Sequence, residues 1–389
     1  MQSINMKDSN FTKNLVFFLF LYASLIVSFI FNENSTGGAL IDYSNQKTIS
    51  EKFVLDFKET FFTYNLNATR HSPILIIFLS FLEKLSLNDY VVRLIHMHIS
   101  LFLPFLFFKL LRTNYKNFEL ESLLLLTSLI FFSPTFRTLS IWPDSRIFGV
   151  IIFCCSIYFY LNFKKEKDFY SAILNIIFCA LASYVSPNFA VFSIFYFYHF
   201  FLVYKKTPIK LFQIISLNLF LSLPAFYYIF VLDINFLINS AAVGINAKNI
   251  FFLNFYNNFL LISSIIFFYL LPFILVGVIK LNKVYNIKIY TITLALCLLS
   301  FYFFDYKYEY TGGGIFFKFS QLVFKNNFLF FIITFFSILI VLNLCNNKFE
   351  NFLLLILIYA SNPQITIYHK YYDPFLMIVF FTLFNFKID

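Results

Sequence analysis

Long apolar runs separated by short polar segments dominate this 389-residue sequence. A run of about 20 apolar residues is long enough to cross a bilayer as an α-helix. The runs and their polar flanks predict twelve membrane spans, at residues 15–31, 91–110, 120–134, 147–163, 169–186, 189–204, 209–231, 259–279, 289–304, 326–344, 351–361 and 374–386. We therefore expect an all-α protein, a polytopic transmembrane helix bundle that forms one integral membrane domain over residues 1–389.

The composition rules out a water-soluble chain of this length. Hydrophobic residues make up 60% of the sequence, charged residues make up 12%, and the mean hydropathy is +0.78. The 63 Phe and 26 Tyr residues exclude disorder and leave little room for a globular domain outside the bilayer. The cysteines lie in or at the ends of apolar runs without ligand spacing, which predicts neither a metal cluster nor a disulfide framework: Cys154, Cys155, Cys179, Cys297 and Cys345.

The formal net charge of +10 is divided unevenly between the two alternating sets of loops. Nearly all of the positive excess falls in the set that contains both termini, for example in the turn at 162–167. The positive-inside rule therefore predicts a multi-pass protein of the inner (plasma) membrane with both termini in the cytoplasm. Membrane lipids are the expected partners of these basic turns, and nucleic acid is not expected. The first span is predicted to be a signal anchor that is not cleaved.

The loops on the other side are longer and chemically more varied, and we expect the active face to be this extracytoplasmic one. They are residues 32–90, 135–146, 232–258, 305–325 and 362–373. In the first of them, apolar residues recur at helical spacing over 49–62, opposite charged residues. This pattern predicts interfacial helices inside the 32–90 loop, with a solvated connector as the alternative.

An acid in the same loop is the first candidate for chemistry. Asp42 follows the pair Gly37 and Gly38 and precedes Tyr43, close to the end of the first span. No stabilising task for this carboxylate is evident from the sequence, and an ionisable group beside a membrane span is a functional candidate. The glycine pair, like the run at 312–314, could bring backbone amides together around an anion such as phosphate, or could simply form flexible turns.

Two further outer loops combine charged and aromatic residues. The loop at 135–146 carries Trp142, Asp144 and Arg146, for which the alternative reading is an interfacial Trp beside a local ion pair. The last outer loop carries Lys370, a point charge suited to phosphate, and Tyr371, whose ring could stack on a sugar. The alternative there is an aromatic belt at the end of a span. No role is assigned to His96 or His98.

This layout resembles the C-type (GT-C) glycosyltransferases, multispanning enzymes whose donor is a polyprenyl-phosphate sugar, such as the dolichyl-phosphate-mannose and aminoarabinose transferases. The resemblance rests on a long first outer loop with an acid, interfacial helices and a second outer acid. The matching residues are Asp42, the segment Arg70-His71-Ser72-Pro73, Arg93, and Asp144 with Arg146. The first-loop acid lacks the Glu neighbour often found in the family, because Tyr43 follows it.

The resemblance implies an inverting transfer of a sugar from a polyprenyl-phosphate donor to a lipid-linked glycan or another acceptor on the outer face. Asp42 would be the base and Asp144 the second catalytic acid. The substrate-binding residues would be Gly37, Gly38, Tyr43, Arg70, His71, Arg146, Lys370 and Tyr371. A sugar phosphoester already carries a good leaving group, so the reaction needs a base for the acceptor hydroxyl and cations for the departing polyprenyl phosphate more than a strong acid. No metal ligand is assigned, and the need for a divalent metal ion stays open.

Two other functions remain as alternatives. A flippase or exporter of lipid-linked sugars would be expected to carry charged residues in the middle of its spans, and the sequence shows few of them. An envelope glycan polymerase or ligase usually depends on paired arginines in a large later outer loop, whereas the later loops here carry lysines and no arginine.

Overall fold

The computed structural model describes residues 2–67, 69, 71–232, 250–277, 279, 287–310, 312–345, 348–363 and 366–385. Throughout these ranges the regular structure is helical and contains no β-strand, which confirms the predicted all-α class. The described chain forms two compact units. Unit 1 comprises residues 2–67, 71–189 and 200–232, and unit 2 comprises residue 69, residues 190–199 and the described residues from 250 onward.

Twelve α-helices precede residue 232: α1 (Gln2–Ile30), α2 (Ala39–Leu55), α3 (Phe57–Phe62), α4 (Pro73–Lys84), α5 (Asp89–Ser100), α6 (Phe102–Asn114), α7 (Leu120–Phe132), α8 (Pro134–Ile141), α9 (Ser145–Glu166), α10 (Phe169–Val185), α11 (Ser193–Tyr204) and α12 (Pro208–Phe230). The others that the structure describes are α13 (Ile250–Leu275), α14 (Ile287–Tyr302), α15 (Ile315–Phe324), α16 (Phe328–Leu344), α17 (Phe349–Ala360) and α18 (Phe375–Thr382). Short 3₁₀ helices occupy Tyr64–Asn67, Pro187–Phe192 and His369–Tyr371.

Every one of the twelve predicted spans overlaps a helix, but their lengths differ. Five helical segments in the described chain are long and apolar enough to cross a membrane: Asp89–Asn114, Ser145–Glu166, Pro187–Tyr204, Pro208–Phe230 and Phe255–Leu275. A sixth is formed if α7 and α8, which meet at an angle of 62°, count as one broken span. Six further apolar segments have 10–17 residues, among them Asn14–Ile30 of α1, and α18 has eight. The membrane-spanning character is thus supported, and the count of twelve stays a prediction.

The amphipathic segment 49–62 is helical, as its spacing predicts, but it is divided between the end of α2 and α3. The chain leaves the helical conformation at Asp56, whose backbone is extended (φ −143°, ψ 102°). The Asp56 carboxylate then accepts a hydrogen bond of 2.9 Å from the Glu59 amide and so caps a new helix, α3. A helix start needs such a partner for its unpaired amides, and Asp provides one locally. The same capping logic starts α4 at Ser72 and Pro73.

The outer loop expected at 135–146 is also largely helical. Ser133 ends α7 and caps α8, because its Oγ accepts a hydrogen bond of 2.9 Å from the Phe136 amide. Pro134 occupies the first helical position, where a missing amide proton has no cost. The Ser-Pro pair thus bends the chain by 62° and continues it as a short helix. Residues 137–146 belong to unit 1, as do the helices on both sides of the bend.

Helices α9 and α10 form the most extensive helix pair of unit 1. Asn175 on α10 donates hydrogen bonds of 2.8 and 2.9 Å to the carbonyl and the hydroxyl of Ser156 on α9. Gly149 lets the segment after α10 approach α9 closely, since a Cβ there would stand 2.7 Å from Ser186 Cβ and 2.8 Å from the Phe189 ring. These contacts fix α9 against α10 and the segment that follows α10.

Candidate functional site

A turn at the end of α1 positions the polar residues Asn32 and Glu33 in unit 1. Asn32 adopts a left-handed conformation (φ 52°), and the amide of Glu33 donates a hydrogen bond of 2.9 Å to the carbonyl of Ser28. This is the usual way in which a helix ends on an Asn residue. The side chain of Asn32 therefore reaches α5, and that of Glu33 reaches α8.

Glu33 forms an ion pair with Arg137 of α8. The distance from Arg137 Nη2 to Glu33 Oε2 is 2.9 Å, and Arg137 Nε donates to the same oxygen at 3.0 Å. Arg137 also donates to the hydroxyls of Ser24 and Ser28 on α1. Burial favours the neutral form of Glu33, but the hydrogen bonds from Arg137 and two serines outweigh it and hold the pKa below its ordinary value. The pair joins the end of α1 to α8.

The last turn of α8 has its carbonyl groups capped by side chains of α5. Arg93 Nε donates a hydrogen bond of 3.2 Å to the carbonyl of Ile141, and Arg93 Nη2 donates one of 2.8 Å to Asn32 Oδ1. His96 Nε2 lies 2.8 Å from the carbonyl of Leu139 and donates to it. A helix C-terminus leaves its last carbonyls without helical partners, so these two side chains stabilise α8 directly.

Trp142 ends α8 and lies among groups from three segments. Its Nε1 donates a hydrogen bond of 3.0 Å to the carbonyl of Glu33, and the Arg93 guanidinium lies 3.6 Å from its ring centroid. The ring of Tyr43 on α2 is 6.0 Å away, centroid to centroid. Trp142 is thus buried in unit 1 and packs against several segments. The alternative from the sequence, an interfacial Trp, does not account for these contacts.

Asp144 is almost fully buried, at 1% exposure, and caps α9. Its Oδ1 accepts a hydrogen bond of 2.7 Å from the amide of Arg146, and its Oδ2 lies 3.5 Å from Arg146 Nη1. His71 reaches the same turn, with its Nδ1 3.4 Å from the hydroxyl of Ser145. A carboxylate at a helix N-terminus is favoured by the amides there, and the Arg146 charge adds to this.

Asp42 and its glycine neighbours begin α2. Asp42 lies in the first turn of that helix, partly exposed, where a carboxylate interacts favourably with the N-terminal amides. The structure therefore gives Asp42 a stabilising position that the sequence did not reveal. Gly37 adopts a left-handed conformation (φ 75°), and its amide donates a hydrogen bond of 2.9 Å to the carbonyl of Asn34. Gly38 directly precedes the helix.

Tyr43, next to Asp42, belongs to a polar group between α2 and α5. Its hydroxyl donates a hydrogen bond of 2.6 Å to Asp89 Oδ1, and Lys47 Nζ donates one of 3.1 Å to the same oxygen. Burial, followed by the adjacent Asp89 carboxylate, raises the pKa of Tyr43 well above its ordinary value. Tyr43 therefore stays protonated and acts as a hydrogen-bond donor.

Unit 2 holds the other predicted site residues. Lys370 Nζ lies 5.1 Å from the ring centroid of Tyr368, and the rings of Tyr368 and Tyr371 meet edge to face at 5.5 Å. Nearby, His369 Nε2 accepts a hydrogen bond of 3.1 Å from the amide of Ile315 at the start of α15. Burial lowers the pKa of His369 to about 4, so the imidazole is neutral at pH 7 and can accept this bond.

The glycine run at 312–314 has a structural explanation in unit 2. A Cβ on Gly312 (φ 88°) would collide with the carbonyl oxygen of Ile367. The amide of Gly313 donates a hydrogen bond of 2.7 Å to that carbonyl. This amide and the amide of Ile315 are thus engaged within the unit, and an anion would have to compete for them.

The structure brings His71, Asp144 and Arg146 together at the start of α9, and it places Tyr43 beside Trp142 at the end of α8. Arg70 lies outside the described residues. Sequence reasoning missed the part played by Glu33, Arg137, Asp89 and His96. An acid directly after the first span and an Arg in the second outer loop were the available signals for the Glu33–Arg137 pair. In the part of the chain that the structure describes, no three His, Cys, Asp or Glu side chains are grouped as metal ligands would be.

No protein-family model, no curated protein and no solved structure matches this chain. The class of the protein is accordingly defined by its own geometry. In the part that the structure describes, the regular structure is helical, with five or six candidate membrane spans and with the buried side chains of Arg93 and Asp144 at the end of α8 and the start of α9.

Proposed function

We propose that this protein is a membrane glycosyltransferase of the GT-C type. It transfers a sugar from a polyprenyl-phosphate donor to a lipid-linked glycan or another acceptor on the extracytoplasmic face. The observation that supports this proposal is that segments distant in sequence pack against each other in unit 1. The ring centroids of Trp142 and of Tyr43, the residue after Asp42, lie 6.0 Å apart. Trp142 precedes the buried Asp144 by two residues, and Asp144 is paired with Arg146.

The proposed reaction assigns a task to each of these groups. The acceptor hydroxyl oxygen attacks the anomeric carbon, and its proton passes to the Asp42 carboxylate, which is partly exposed and can be reached by a substrate. The bond between the anomeric carbon and the phosphate oxygen breaks, and the polyprenyl phosphate leaves with the electron pair. Arg146, held by Asp144 at the start of α9, stabilises the departing phosphate together with the helix N-terminus.

His71 and Tyr43 would orient the substrate, and Asp144 would position Arg146. The roles of Gly37, Gly38, Arg70, Lys370 and Tyr371 in binding the donor phosphate and sugar stay predictions from the sequence. We further propose that the protein lies in the inner membrane with twelve spans in a GT-C-like arrangement, and that both termini are cytoplasmic. A lipid-linked donor explains an enzyme that consists almost entirely of membrane helices, because its tail lies in the bilayer while its head group reaches water.

The test is sugar transfer by the full-length protein in proteoliposomes with a radiolabelled polyprenyl-phosphate sugar. We expect Asp42→Asn to lower kcat by about a hundredfold or more, the usual contribution of a general base. Glu51→Gln, which removes an exposed acid from the same helix, is the matched control and should leave the rate unchanged.

Undiminished transfer by Asp42→Asn would remove Asp42 from the mechanism. Movement of labelled lipid-linked sugar across the bilayer without a new glycosidic bond would replace the proposed enzyme by a flippase.

A further inference from the structure

The exposed face of α6 changes from apolar to basic along the helix. Its exposed residues are Phe102, Phe105, Lys109 and Arg112, and their spacing of three and four positions places them in one stripe. Within the candidate span Asp89–Asn114, the two phenyl rings lie nearer the middle and the two cations nearer the end. A phospholipid in a bilayer presents its acyl chains and its phosphate in the same order.

Helix α9 adds to the basic end of this stripe. Lys109 Nζ lies 4.3 Å from the ring centroid of Tyr158, and the same Tyr158 interacts electrostatically with Lys165. Lys165 Nζ donates a hydrogen bond to the carbonyl of Thr113 in the last turn of α6. Lys116, which follows α6, repels Lys165 electrostatically. Several cations are thus held together where α6 and α9 end, and an anion among them would relieve their repulsion.

This end of unit 1 carries a large positive excess. Three polar segments lie there, at residues 109–121, 162–168 and 205–210. The Lys165 bond joins the first two, and the Tyr204 hydroxyl, which donates a hydrogen bond of 2.9 Å to the carbonyl of Lys167, joins the third. The segments contain nine basic residues, all exposed, and four acidic ones. Their net charge of +5 is half of the +10 of the whole chain.

The four acidic residues leave the cations of α6 and α9 largely uncompensated. Asp168 is engaged in the first turn of α10, where it accepts hydrogen bonds of 2.9 Å from two amides. Glu166 attracts Lys165 and balances one charge. Glu119 and Glu121 are exposed around the start of α7. Since α6, α9 and α11 end in this region while α7, α10 and α12 begin there, the partial charges of the helix ends cancel.

We infer that the basic end of α6, together with Lys165 of α9, binds the phosphate of an anionic phospholipid. The acyl chains of this lipid then lie along the half of the stripe that Phe102 and Phe105 form. A nucleic acid or a soluble phosphate would offer the same negative charge, but no acyl chains for the exposed phenyl rings. This lipid partner is independent of the proposed sugar transfer.

The measurement is lipid binding to the full-length protein in detergent, by native mass spectrometry, with phosphatidylglycerol and phosphatidylcholine of identical acyl chains. We expect the wild type to prefer phosphatidylglycerol by at least about tenfold. One cation near an anionic lipid contributes a factor of about five, so Lys116→Gln/Lys165→Gln should weaken the binding of phosphatidylglycerol about thirtyfold and leave that of phosphatidylcholine unchanged. Equal binding of both lipids by the wild type would overturn the inference.

A matched control tests whether the cations act at one site. Lys205→Gln/Lys206→Gln removes the same charge from the turn between α11 and α12 and should bind phosphatidylglycerol like the wild type. An equal loss in both double variants would mean that net charge alone attracts the lipid, and the site at α6 and α9 would be refuted.

A charge-conserving variant separates lipid binding from damage to the fold. Lys116→Arg/Lys165→Arg keeps both cations, so we expect it to retain the preference for phosphatidylglycerol. A loss as large as that of the glutamine variant would show that these lysines act within the fold, and the inference would fail.

Competition identifies the source of the phosphate. Soluble glycerol 3-phosphate and a short single-stranded oligonucleotide should not displace phosphatidylglycerol at equal concentration, because neither carries acyl chains. Displacement by glycerol 3-phosphate would show a site for soluble phosphate, and displacement by the oligonucleotide would show a nucleic-acid site. Either result would overturn the assignment to a lipid.

Discussion

The guanidinium of Arg93 lies 3.6 Å from the ring centroid of Trp142 and at the same time donates a hydrogen bond to the carbonyl of Ile141, the residue before that ring. One side chain of α5 thus stabilises both the last carbonyl and the terminal ring of α8. A planar cation with several donors can do this, whereas an ammonium group cannot occupy all of these positions at once.

Arg93→Lys is therefore expected to destabilise unit 1 by about 2 kcal/mol, although the charge is kept, because the stacking and at least one charged hydrogen bond are lost. The measurement is the thermal midpoint of the purified full-length protein. Arg112→Lys, at an exposed position near the end of α6, is the matched control and should have little effect. Equal midpoints for Arg93→Lys and the wild type would show that the stacking contributes nothing measurable.

The Glu33–Arg137 pair should behave as a coupled unit. Arg137→Met leaves the Glu33 carboxylate partly buried without its cation, so we expect it to be more destabilising than the double variant Glu33→Gln/Arg137→Met. A double-mutant cycle on the unfolding free energy measures the coupling, for which about 1–3 kcal/mol is expected. Additive effects of the two single changes would mean that the contact seen in the structure carries no energy.

The same pair predicts an acid-sensitive contribution to stability. The pKa of Glu33 is lowered in the folded protein, so its stabilising effect is present above the ordinary carboxyl pKa and is lost as the pH falls through the lowered value. The difference in midpoint between the wild type and Glu33→Gln should accordingly be large at pH 7 and disappear in acid. A difference that does not change with pH would contradict this assignment.

Glu83 should have the opposite sign. Burial, with a further contribution from Glu51, raises its pKa in spite of the hydrogen bond from Ser50. For a carboxyl group with a raised pKa, ionisation as the pH rises is a cost to the folded state. Glu83→Gln keeps the acceptor for Ser50 and removes the charge, so we expect a higher thermal midpoint at pH 7 and no difference in acid. Glu59→Gln, which is exposed on α3, should show neither effect.

His369 predicts a pH dependence in unit 2. Its pKa falls from 6.5 to about 4 on burial, so protonation favours the unfolded chain between these values. Stability should therefore decrease as the pH is lowered through this window. His369→Gln retains an acceptor for the amide of Ile315 and cannot be protonated, so its pH profile should be flatter there. Hydrogen exchange of the first turn of α15 reports on this region, and parallel profiles for both proteins would contradict the assignment.

Local patterns in the sequence were sufficient for much of the fold. The apolar runs predicted a helix at each of the twelve positions, because a segment of this kind in a bilayer can satisfy its backbone only as a helix. The break at Asp56 and the start of α8 at Ser133 and Pro134 were missed, although both follow from capping residues that are visible in the sequence. Those signals are local, and a reading guided by hydrophobicity overlooked them.

By itself, the sequence determined that this chain is rich in apolar helical segments long enough to be candidate membrane spans, and it singled out Asp42, Asp144 and Arg146 among the charged residues. Only the tertiary structure decided that Arg137 pairs with Glu33, that His96 caps α8, and that Gln46 is buried without a partner. These relationships join segments up to 104 residues apart. Hydrophobic periodicity acts along one helix, whereas the pairing of charges and amides depends on which helices pack together, and no local pattern encodes that choice.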